Sequence, residues 1–470
     1  MIRRTGAQII VELLERQGIT QIAGIPGGAN LPLYDALSQS TRIRHILVRH
    51  EQSAGFMAQG MARVTGKPQV CFATSGPGAT NLMTAIADAK LDSIPIIAIT
   101  GQVPSALIGT DAFQEVDTYG MSLPITKHNF LVRSAEELLR IIPRAFRIAA
   151  SGKPGPVLID VSKDIQTQQL EFDAYPEPGR PDPSPVISEE QVRQAAAMIN
   201  GASRPILCLG GGVIHAEAGD LAQELIERSA IPTTMTFMGL GAIPSDHPLS
   251  LGMLGMHGAR ATNLALEECD LFIAIGSRFD DRATGKVSEF CRNAQILHVD
   301  IDSGELDKIK RAHLGIEGDA KKFLETLLPW IDENPRHQWN ATVDDLRRTF
   351  PSSFPDQDTP QSAYGLIRHV AQLVGDEAIV ATDVGQHQMR TAQAYPFQRP
   401  RQWLSSGGLG TMGFGLPTAI GAALAAPERQ VVCFTGDGSL LMNIQELSTL
   451  AELNANVKII LMNNRSLGLV

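Results

Sequence analysis

The chain has 470 residues, of which 43% are hydrophobic and 19% are charged, and its formal net charge at pH 7 is −10. This acidic balance disfavours nucleic acids and anionic membranes as partners, and no apolar run approaches the length that crosses a bilayer. We therefore expect a globular, cytoplasmic protein of about three domains, each large enough to have its own core.

The first predicted element is an amphipathic helix at the N-terminus. Residues 6–18 (GAQIIVELLERQG) place apolar side chains at helical spacing, and the preceding basic residues do not make this stretch a signal peptide. The five cysteines have no CxxC spacing and lie mostly in apolar, strand-like contexts, so we expect buried, reduced thiols of a cytosolic protein.

Glu51 follows an apolar, strand-like run (residues 43–50, IRHILVRH) and begins a predicted helix. A carboxylate at a helix N-terminus often serves only to stabilise the helix end. Further along, residues 74–81 (TSGPGATN) predict a strand-to-helix turn of the kind that lets the backbone approach a ligand closely. The stretch GTDAFQEVD predicts a loop that contains Phe113 and Gln114, for which packing is the more ordinary role.

Two stretches divide the chain into three segments. Residues 175–185 (YPEPGRPDPSP) carry five prolines and predict a linker, and residues 334–360 predict a second connector with one short amphipathic piece, TVDDLRRTF. The segments 1–174, 186–335 and 361–470 each alternate short apolar runs with helix-like stretches. This alternation predicts an α/β fold of three doubly wound parallel-sheet domains.

In the middle segment, glycine-rich and acidic stretches lie next to the apolar runs. They are LGGGV (209–213), GMHG (255–258), GSRFDDR (276–282) and HVDID (298–302). By itself, a glycine cluster after a strand is weak evidence for a nucleotide site.

The most informative pattern is GDGS (436–439) followed by the pair Asn463 and Asn464. Residues 431–435 predict a buried strand and residues 457–462 a second apolar strand, and parallel strands place the groups that follow them at one sheet edge. Carboxylate and amide oxygens suit Mg²⁺ held together with a diphosphate, and Ser439 can cap the following helix. An ordinary turn with a capping serine would explain GDGS alone, but it does not explain the pairing with the asparagines.

GDG followed by NN at this spacing resembles the signature of thiamine diphosphate (ThDP) enzymes. Longer stretches resemble the large catalytic subunit of acetohydroxyacid (acetolactate) synthase of the bacterial anabolic type. They are IPGGANLPLYDAL, RHEQSAGFMAQGMAR, TSGPGATN, ITGQVPSALIGTDAFQEVD, GSRFDDRATGK, TDVGQHQM and SGGLGTMGFGLPTAIGAAL. The resemblance implies an N-terminal domain for the ThDP pyrimidine, a central FAD-binding-like domain, and a domain for the diphosphate and Mg²⁺. We expect the third domain to be incomplete, because the segment ends soon after Asn464.

The resemblance also implies roles at the ThDP site. Glu51 would hydrogen-bond the aminopyrimidine and favour the tautomer that removes the C2 proton. Gly410 would accept from the 4′-amino group, and Met412 would wedge between the rings to keep ThDP bent, although a core methionine is the alternative. The implied Mg²⁺ ligands are Asp437, Asn464 and the carbonyl of Ser466. The remaining implied ThDP contacts are Pro77, Asn81, Val384, Gly385, Gln386, His387, Gly436, Gly438 and Ser439.

In the central domain, the resemblance implies a structural, redox-silent FAD. Its implied contacts are Gly211, Gly212, His257, Arg278, Asp280, Asp300 and Asp319. The implied catalytic residues besides Glu51 are Phe113, Gln114, Lys163 and Arg282. Arg282 would hold the carboxylate of the second substrate, or would instead form a surface ion pair with Asp280 or Asp281. Lys153 and Ser162 stand where the family usually has arginine and proline.

The implied reaction joins pyruvate, with loss of CO₂, to a second 2-keto acid, and so begins branched-chain amino-acid biosynthesis. With pyruvate or 2-ketobutyrate as acceptor, the products are 2-acetolactate or 2-aceto-2-hydroxybutyrate. The implied partners are a second copy, as a homodimer or dimer of dimers, and a small regulatory subunit. Two alternatives stay open: another ThDP and FAD enzyme such as pyruvate oxidase or glyoxylate carboligase, or a truncated chain that folds and binds FAD or partner subunits without turnover.

Overall fold

The structure is a computed structural model that describes residues 1–352 and 354–470. The chain forms two compact units. Unit 1 comprises residues 1–183, 380–385 and 404–470, and unit 2 comprises residues 184–379 and 386–403. Residue 353, inside the predicted second connector, lies outside the described residues.

The N-terminal part of unit 1 alternates strands and helices. The strands are β1 (Ile2–Thr5), β2 (Gln21–Gly24), β3 (Arg44–Leu47), β4 (Gln69–Ala73), β5 (Ile96–Gln102), β6 (His128–Val132), β7 (Val157–Ser162) and β8 (Gln169–Phe172). The α-helices are α1 (Gly6–Arg16), α2 (Leu31–Ser38), α3 (Glu51–Thr65), α4 (Pro77–Leu91), α5 (Thr118–Ser122), α6 (Ala135–Ala150) and α7 (Lys163–Thr167). The predicted first helix is confirmed as α1, but the residues before it form β1, which pairs antiparallel with β8.

Six of these strands form one parallel sheet in the order β3-β2-β4-β5-β7-β6. Successive residues of its central strands enter two different cores. Val70 and Phe72 pack in the core with α1 and α6, whereas Cys71 and Ala73 pack in the core with α3 and α4. Because both faces are covered, these central strands are mostly apolar, and this explains the continuous apolar runs of the sequence.

Unit 2 contains a second parallel sheet, of six strands. They are β9 (Pro205–Leu209), β10 (Thr233–Met235), β11 (Ser250–Met253), β12 (Leu271–Ile275), β13 (Gln295–Asp300) and β14 (Leu314–Glu317). Its α-helices are α8 (Glu189–Gly201), α9 (Gly211–His215), α10 (Gly219–Ser229), α11 (Arg260–Glu268), α12 (Asp281–Thr284), α13 (Ala320–Leu327), α14 (His337–Thr349), α15 (Ala363–Val374) and α16 (Gln386–Ala394). The strand order is β11-β10-β9-β12-β13-β14. The chain enters at the central strand β9, adds β10 and β11 on one side, and then returns to add β12, β13 and β14 on the other side. Sheets of this type bind dinucleotides at the reversal point, between β9 and β12.

Helix α14 occupies much of the stretch predicted as the second connector. It begins earlier than the amphipathic piece that the sequence indicated at residues 342–350. Trp339 and Val343 are buried in the core beside β9 and β12, and the Trp339 indole N–H donates to the carbonyl of Pro205 at 2.9 Å. The charged residues around this narrow apolar stripe made the segment look like a solvated connector.

The third sheet has four strands, in the order β16-β15-β17-β18. They are β15 (Ile379–Thr382), β16 (Trp403–Leu404), β17 (Val431–Gly436) and β18 (Val457–Met462), and the accompanying helices are α17 (Gly415–Ala425), α18 (Asp437–Leu440) and α19 (Glu446–Leu453). The two strands predicted around GDGS and NN are confirmed as β17 and β18. They run parallel, with Gly436 opposite Met462, so Asp437 and Asn463 leave the same edge of the sheet.

Within unit 1, helices α3 and α17 cross at two glycines. A Cβ atom on Gly60 would lie 2.2 Å from the carbonyl oxygen of Thr418, and one on Gly421 would lie 2.1 Å from that of Met57. Next to this crossing, the rings of Phe56 and Phe414 pack edge to face with centroids 5.3 Å apart. The crossing therefore holds α3, which begins with Glu51, in a fixed position against α17.

We expect Gly60→Ala to lower the free energy of unfolding of unit 1 by about 1–3 kcal/mol, because the added methyl must push α3 away from α17. Gly28→Ala is the matched control, because a Cβ atom on Gly28 would have no neighbour within 4 Å. Urea unfolding of both variants and the parent measures the difference. Equal stability of the Gly60 and Gly28 variants would show that the crossing tolerates a wider spacing.

Candidate functional site

Glu51 lies at the carboxyl edge of the first sheet and faces α4. His50, and not Glu51, caps α3, since its Nδ1 accepts from the backbone N–H of Gln52 at 3.1 Å. Oε2 of Glu51 accepts from the side-chain amide of Asn81 at 2.9 Å. Among the described residues, Oε1 accepts no protein donor, and a Cβ atom on Gly78 would lie 3.4 Å from it. The carboxylate therefore retains one acceptor oxygen beside the glycine-rich turn.

The loop of Phe113 and Gln114 contacts the same turn. Gly76 has φ +58°, and a Cβ atom on it would lie 2.8 Å from the carbonyl oxygen of Gln114. Phe113 is 88% exposed, so the packing role suggested by the sequence does not hold within this chain. Sequence reasoning missed Glu115, whose carboxylate accepts the backbone N–H groups of Gly109, Thr110 and Ala112. These hydrogen bonds, with that from Gly109 the largest contribution, lower the pKa of Glu115 and keep it ionised.

Other predicted residues lie along the same sheet edge. Pro77 is the first residue of α4 and is exposed, and Lys163 is the first residue of α7, directly after β7. The N–H and hydroxyl of Ser105 donate to Asp164, which connects the loop after β5 to α7. Both predicted residues thus lie at carboxyl ends of parallel strands, where ligands of such sheets bind.

At the edge of the third sheet, Asp437 begins α18 directly after β17, and Asn464 follows β18. Oδ1 of Asn464 accepts from the backbone N–H of Ser466 at 3.0 Å, which folds the segment after β18 into a turn. Among residues 1–352 and 354–470, no three His, Cys, Asp or Glu side chains form a metal-binding group. The predicted ligands at these two strand ends, a carboxylate, an amide oxygen and a backbone carbonyl, are of the hard-oxygen type that Mg²⁺ prefers.

The capping role predicted for Ser439 is wrong. Gly436 is the N-cap of α18, and no side chain caps this helix. Because α18 already begins at Asp437, Ser439 lies inside the helix, and its hydroxyl donates to the carbonyl of Val384 at 2.7 Å. The contact joins the turn after β17 to the turn after β15.

Met412 and Gly438 lie together. A Cβ atom on Gly438 would be 3.6 Å from Cε of Met412 and 2.7 Å from Cδ2 of Leu467. The side chains of Met412 and Leu467 therefore approach the GDGS turn closely, and a side chain at position 438 would collide with Leu467. Gly410 and Gly413, on either side of Met412, have φ of +70° and +91°, so this loop needs glycine at both positions.

Asp383 is a second residue that sequence reasoning missed. It is buried and accepts from the backbone N–H of Gly413 at 2.7 Å and from the hydroxyl of Thr435 at 3.0 Å, and burial raises its pKa. Its position directly after a strand, in TDVG, was the signal that could have revealed it. Val384 and Gly385 follow it in unit 1, whereas Gln386 and His387 begin α16 of unit 2. The diphosphate role of these four residues stays a prediction.

In unit 2, two glycine turns meet at the reversal point of the sheet. A Cβ atom on Gly212 would lie 2.6 Å from Cα of Gly276, and the Gly212 N–H donates to the Gly276 carbonyl at 3.1 Å. Gly211 and Gly212 follow β9, and Gly276 follows β12. The other predicted FAD residues also lie at or after strand ends: His257 follows β11, Arg278 and Asp280 follow β12, Asp300 ends β13, and Asp319 follows β14. Sequence spacing alone did not indicate that these turns share one edge.

Three of these carboxylates already have local partners. Asp280 caps α12 by accepting from Arg282 N and Ala283 N, and Asp319 caps α13 by accepting from Lys322 N. Asp300 accepts from the backbone N–H of Asp302 at 3.0 Å. Each carboxylate is thereby oriented at its strand end.

The Arg282 guanidinium lies 3.6 Å from the Asp281 carboxylate, which is the surface ion pair that the sequence left as an alternative. Both side chains are mostly exposed, so the pair contributes little and the guanidinium can still bind an anion. Partial burial, together with the charge of Arg282, lowers the pKa of His257, so this histidine is neutral at physiological pH.

Comparison with known families shows what the chain resembles along its whole length. Residues 4–121 match the N-terminal TPP binding domain of thiamine pyrophosphate enzymes, residues 192–327 their central domain, and residues 383–470 their C-terminal TPP binding domain.

Three curated relatives illustrate the similarity. The acetolactate synthase isozyme 1 large subunit of Escherichia coli K12 is 63% identical over 468 residues, which cover 100% of this chain and 83% of the relative. The isozyme 2 large subunit of the same organism is 47% identical, and the match covers 99% of this chain and 84% of the relative. A chloroplastic acetolactate synthase of Arabidopsis thaliana is 47% identical, and the match covers 99% of this chain and 71% of the relative.

Gly76→Ala should disorder the loop of Phe113 and Gln114, because the new methyl would collide with the Gln114 backbone. We expect hydrogen exchange at the amides that donate to Glu115 to rise about tenfold or more, equivalent to at least about 1.4 kcal/mol. Gly18→Ala is the control, since Gly18 has a similar positive φ but no neighbour within 4 Å. Equal exchange in the two variants would show that the contact with Gly76 does not position Gln114.

Proposed function

Since the chain belongs to the acetolactate synthase large subunits, a family of ThDP enzymes, we propose that it joins pyruvate to a second 2-keto acid with loss of CO₂. With pyruvate as acceptor the product is 2-acetolactate, and with 2-ketobutyrate it is 2-aceto-2-hydroxybutyrate. This is the first common step of branched-chain amino-acid biosynthesis. The observation that carries the proposal is the identity of 47–63% to acetolactate synthases over 99–100% of the chain.

The residues of unit 1 fit ThDP. When bound, ThDP supplies a thiazolium carbon that adds to the keto carbon of pyruvate, assists the loss of CO₂ and passes the two-carbon unit to the acceptor. The Glu51 oxygen without a protein donor can accept a hydrogen bond from a protonated pyrimidine nitrogen, while Asn81 holds the other oxygen. The Met412 side chain lies next to Gly438 of the GDGS turn, and this position supports the wedge role of Met412.

For Mg²⁺, the supporting observation is the hard-oxygen donor set at the shared edge of β17 and β18. Asp437 would supply the carboxylate, Asn464 its amide oxygen and Ser466 its carbonyl. An octahedral ion completes its shell with diphosphate oxygens and water, so three protein ligands are sufficient.

For FAD, the support comes from the sheet of unit 2. The reversal point between β9 and β12 brings Gly212 and Gly276 into backbone contact, and neither residue of this contact carries a side chain that would keep a pyrophosphate from the backbone. The predicted acidic and basic contacts surround this point at neighbouring strand ends. Phe113, Gln114, Lys163 and Arg282 keep their proposed catalytic roles, with Arg282 as the group for the acceptor carboxylate.

We further propose that at least two copies assemble and that Glu51 of one copy meets the third domain of the other. An apolar surface next to α18 supports this, since Leu441 is 67% exposed and Met442 is 54% exposed. The relatives named as large subunits imply a small regulatory partner for this chain also. All five cysteines are free and buried, in agreement with the proposed cytoplasmic location, and none of the described helices is both long and apolar enough to span a membrane.

Glu51→Gln should reduce 2-acetolactate formation about 10²- to 10⁴-fold, because the amide cannot take the proton that a carboxylate shares with the pyrimidine. The assay uses purified protein with pyruvate, ThDP, Mg²⁺ and FAD, and product is measured directly. ThDP affinity should change much less than turnover. Glu189→Gln, on the exposed face of α8, is the control and should retain turnover.

Full activity of the Glu51 variant would remove Glu51 from the mechanism. Product only from a chain extended to the length of the relatives would show that the 470-residue form lacks groups needed for turnover. Absence of product from both forms, in protein shown to be folded, would contradict the synthase proposal.

Gly212→Ala should weaken FAD binding about tenfold or more, because the added methyl separates the turns after β9 and β12. Titration of flavin-free protein, followed by flavin fluorescence, measures the dissociation constant. Gly201→Ala is the control, because a Cβ atom on Gly201 would have no neighbour within 4 Å. Unchanged FAD affinity in the Gly212 variant would place the flavin elsewhere.

A further inference from the structure

The segment that carries Met412 has little regular structure of its own. It comprises residues 405–413 (SSGGLGTMG), here called the Met412 loop, and it joins β16 to α17. Four of its nine residues are glycines, two of them with positive φ, so many backbone conformations are open to it. Within the loop, the Ser406 hydroxyl oxygen accepts from the backbone N–H of Thr411 at 2.9 Å.

Two acidic residues at the C-terminal end of α4 hold this loop. Asp88 is fully buried, and its Oδ2 accepts from the hydroxyls of Ser406 at 2.5 Å and Thr411 at 2.8 Å. Asp92 accepts from the backbone N–H groups of Gly407 at 3.0 Å and Gly408 at 2.7 Å. Four donors of the Met412 loop thus converge on two carboxylates.

One arginine of α3 compensates this charge. Nη2 of Arg63 lies 2.8 Å from Oδ2 of Asp92 and 3.7 Å from Oδ1 of Asp88, and the guanidinium carbon lies 5.1 Å from the centroid of the Phe414 ring. With one cation for two carboxylates, the cluster is electrostatically costly. Burial, and then the charge of Asp92, raise the pKa of Asp88 to about 6, although Arg63, Ser406 and Thr411 favour its ionised form.

A buried cluster of one arginine and two aspartates is not the simplest way to stabilise a core, because apolar side chains of similar size often stabilise the folded state as well or better. What the carboxylates supply, and apolar side chains cannot, is a set of directed acceptors for the Met412 loop. Helix α4 also carries Asn81, the partner of Glu51, about 10 Å of helix rise away from Asp88. One rigid helix therefore contacts Glu51 near one end and the Met412 loop at the other.

We propose that Asp88 and Asp92, compensated by Arg63, are positioning residues that hold the Met412 loop in its ThDP-binding conformation. This inference rests on the proposed ThDP function of Gly410 and Met412. It assigns to α4 a second role beyond supporting the sheet, because the helix sets the conformation of the segment that would bend the cofactor.

Asp88→Ala is the direct test, and Thr411→Val is the milder one. Thr411→Val removes a single donor from the loop side, keeps the side-chain shape and leaves the buried cluster intact. We expect ThDP affinity, measured by calorimetry with Mg²⁺ present, to fall about tenfold or more in Asp88→Ala and severalfold in Thr411→Val. Without ThDP, chymotrypsin should cut the Met412 loop faster in both variants than in the parent. Asp182→Ala, at an exposed position of unit 1, should change neither quantity.

A purely structural role predicts a different result, namely a lower midpoint of thermal unfolding with unchanged ThDP affinity and unchanged cleavage of the loop. That result in Thr411→Val would overturn the inference even if Asp88→Ala fails to fold. The cleavage readout needs no cofactor. If the folded parent failed to bind ThDP, the proposed function would be wrong. Independently of that result, cleavage of the loop in Thr411→Val that is slower than or equal to that in the parent would overturn the positioning role.

Discussion

The structure of unit 1 depends on the close crossing of α3 and α17. Backbone meets backbone at Gly60 and Gly421, so the two helices approach more closely than any side chain at those positions would allow. The crossing connects the sheet whose edge carries Glu51 to the sheet whose edge carries Asp437. Around it, Ser53 donates to Asn443 and the backbone N–H of Arg49 donates to Glu446, so the start of α3 is also tied to the segment that follows α18.

Parallel strand ends supply nearly all the groups that the proposed chemistry needs. In each of the three sheets, the turns that follow the strands carry glycine together with Asp, Asn, Glu or Arg. Buried parallel strands are mostly apolar along their length, so polar groups are concentrated where the strands end. The reversal point of the sheet in unit 2 adds a place where two such turns touch, at Gly212 and Gly276.

Buried acids recur as organisers of these turns. Asp383 joins the end of β15 to Gly413 of the Met412 loop and to Thr435 of β17, and Asp88 with Asp92 orders the Met412 loop, in each case by accepting hydrogen bonds from backbone N–H groups or hydroxyls. Each carboxylate is costly to bury, and the raised pKa of Asp383 and Asp88 reflects that cost. The glycine-rich turns near the cofactor groups have few other means of holding one conformation.

The sequence by itself determined the fold class, the strands on either side of GDGS and NN, and the family, because apolar runs and glycine turns are local signals. It placed Glu51 at the start of a helix and indicated Asn81 in the turn TSGPGATN. It did not reveal that the two side chains bond to each other. Helix α14 was underestimated, since its apolar stripe is narrow and surrounded by charge, and Ser439 was misassigned, since its partner Val384 is distant in sequence. Only the tertiary structure decided the contacts of Asp88 and Asp383, the helix crossing at Gly60 and Gly421, and the contact between Gly212 and Gly276. Each of these joins segments far apart in the chain, and spacing along a sequence carries no information about which segments meet.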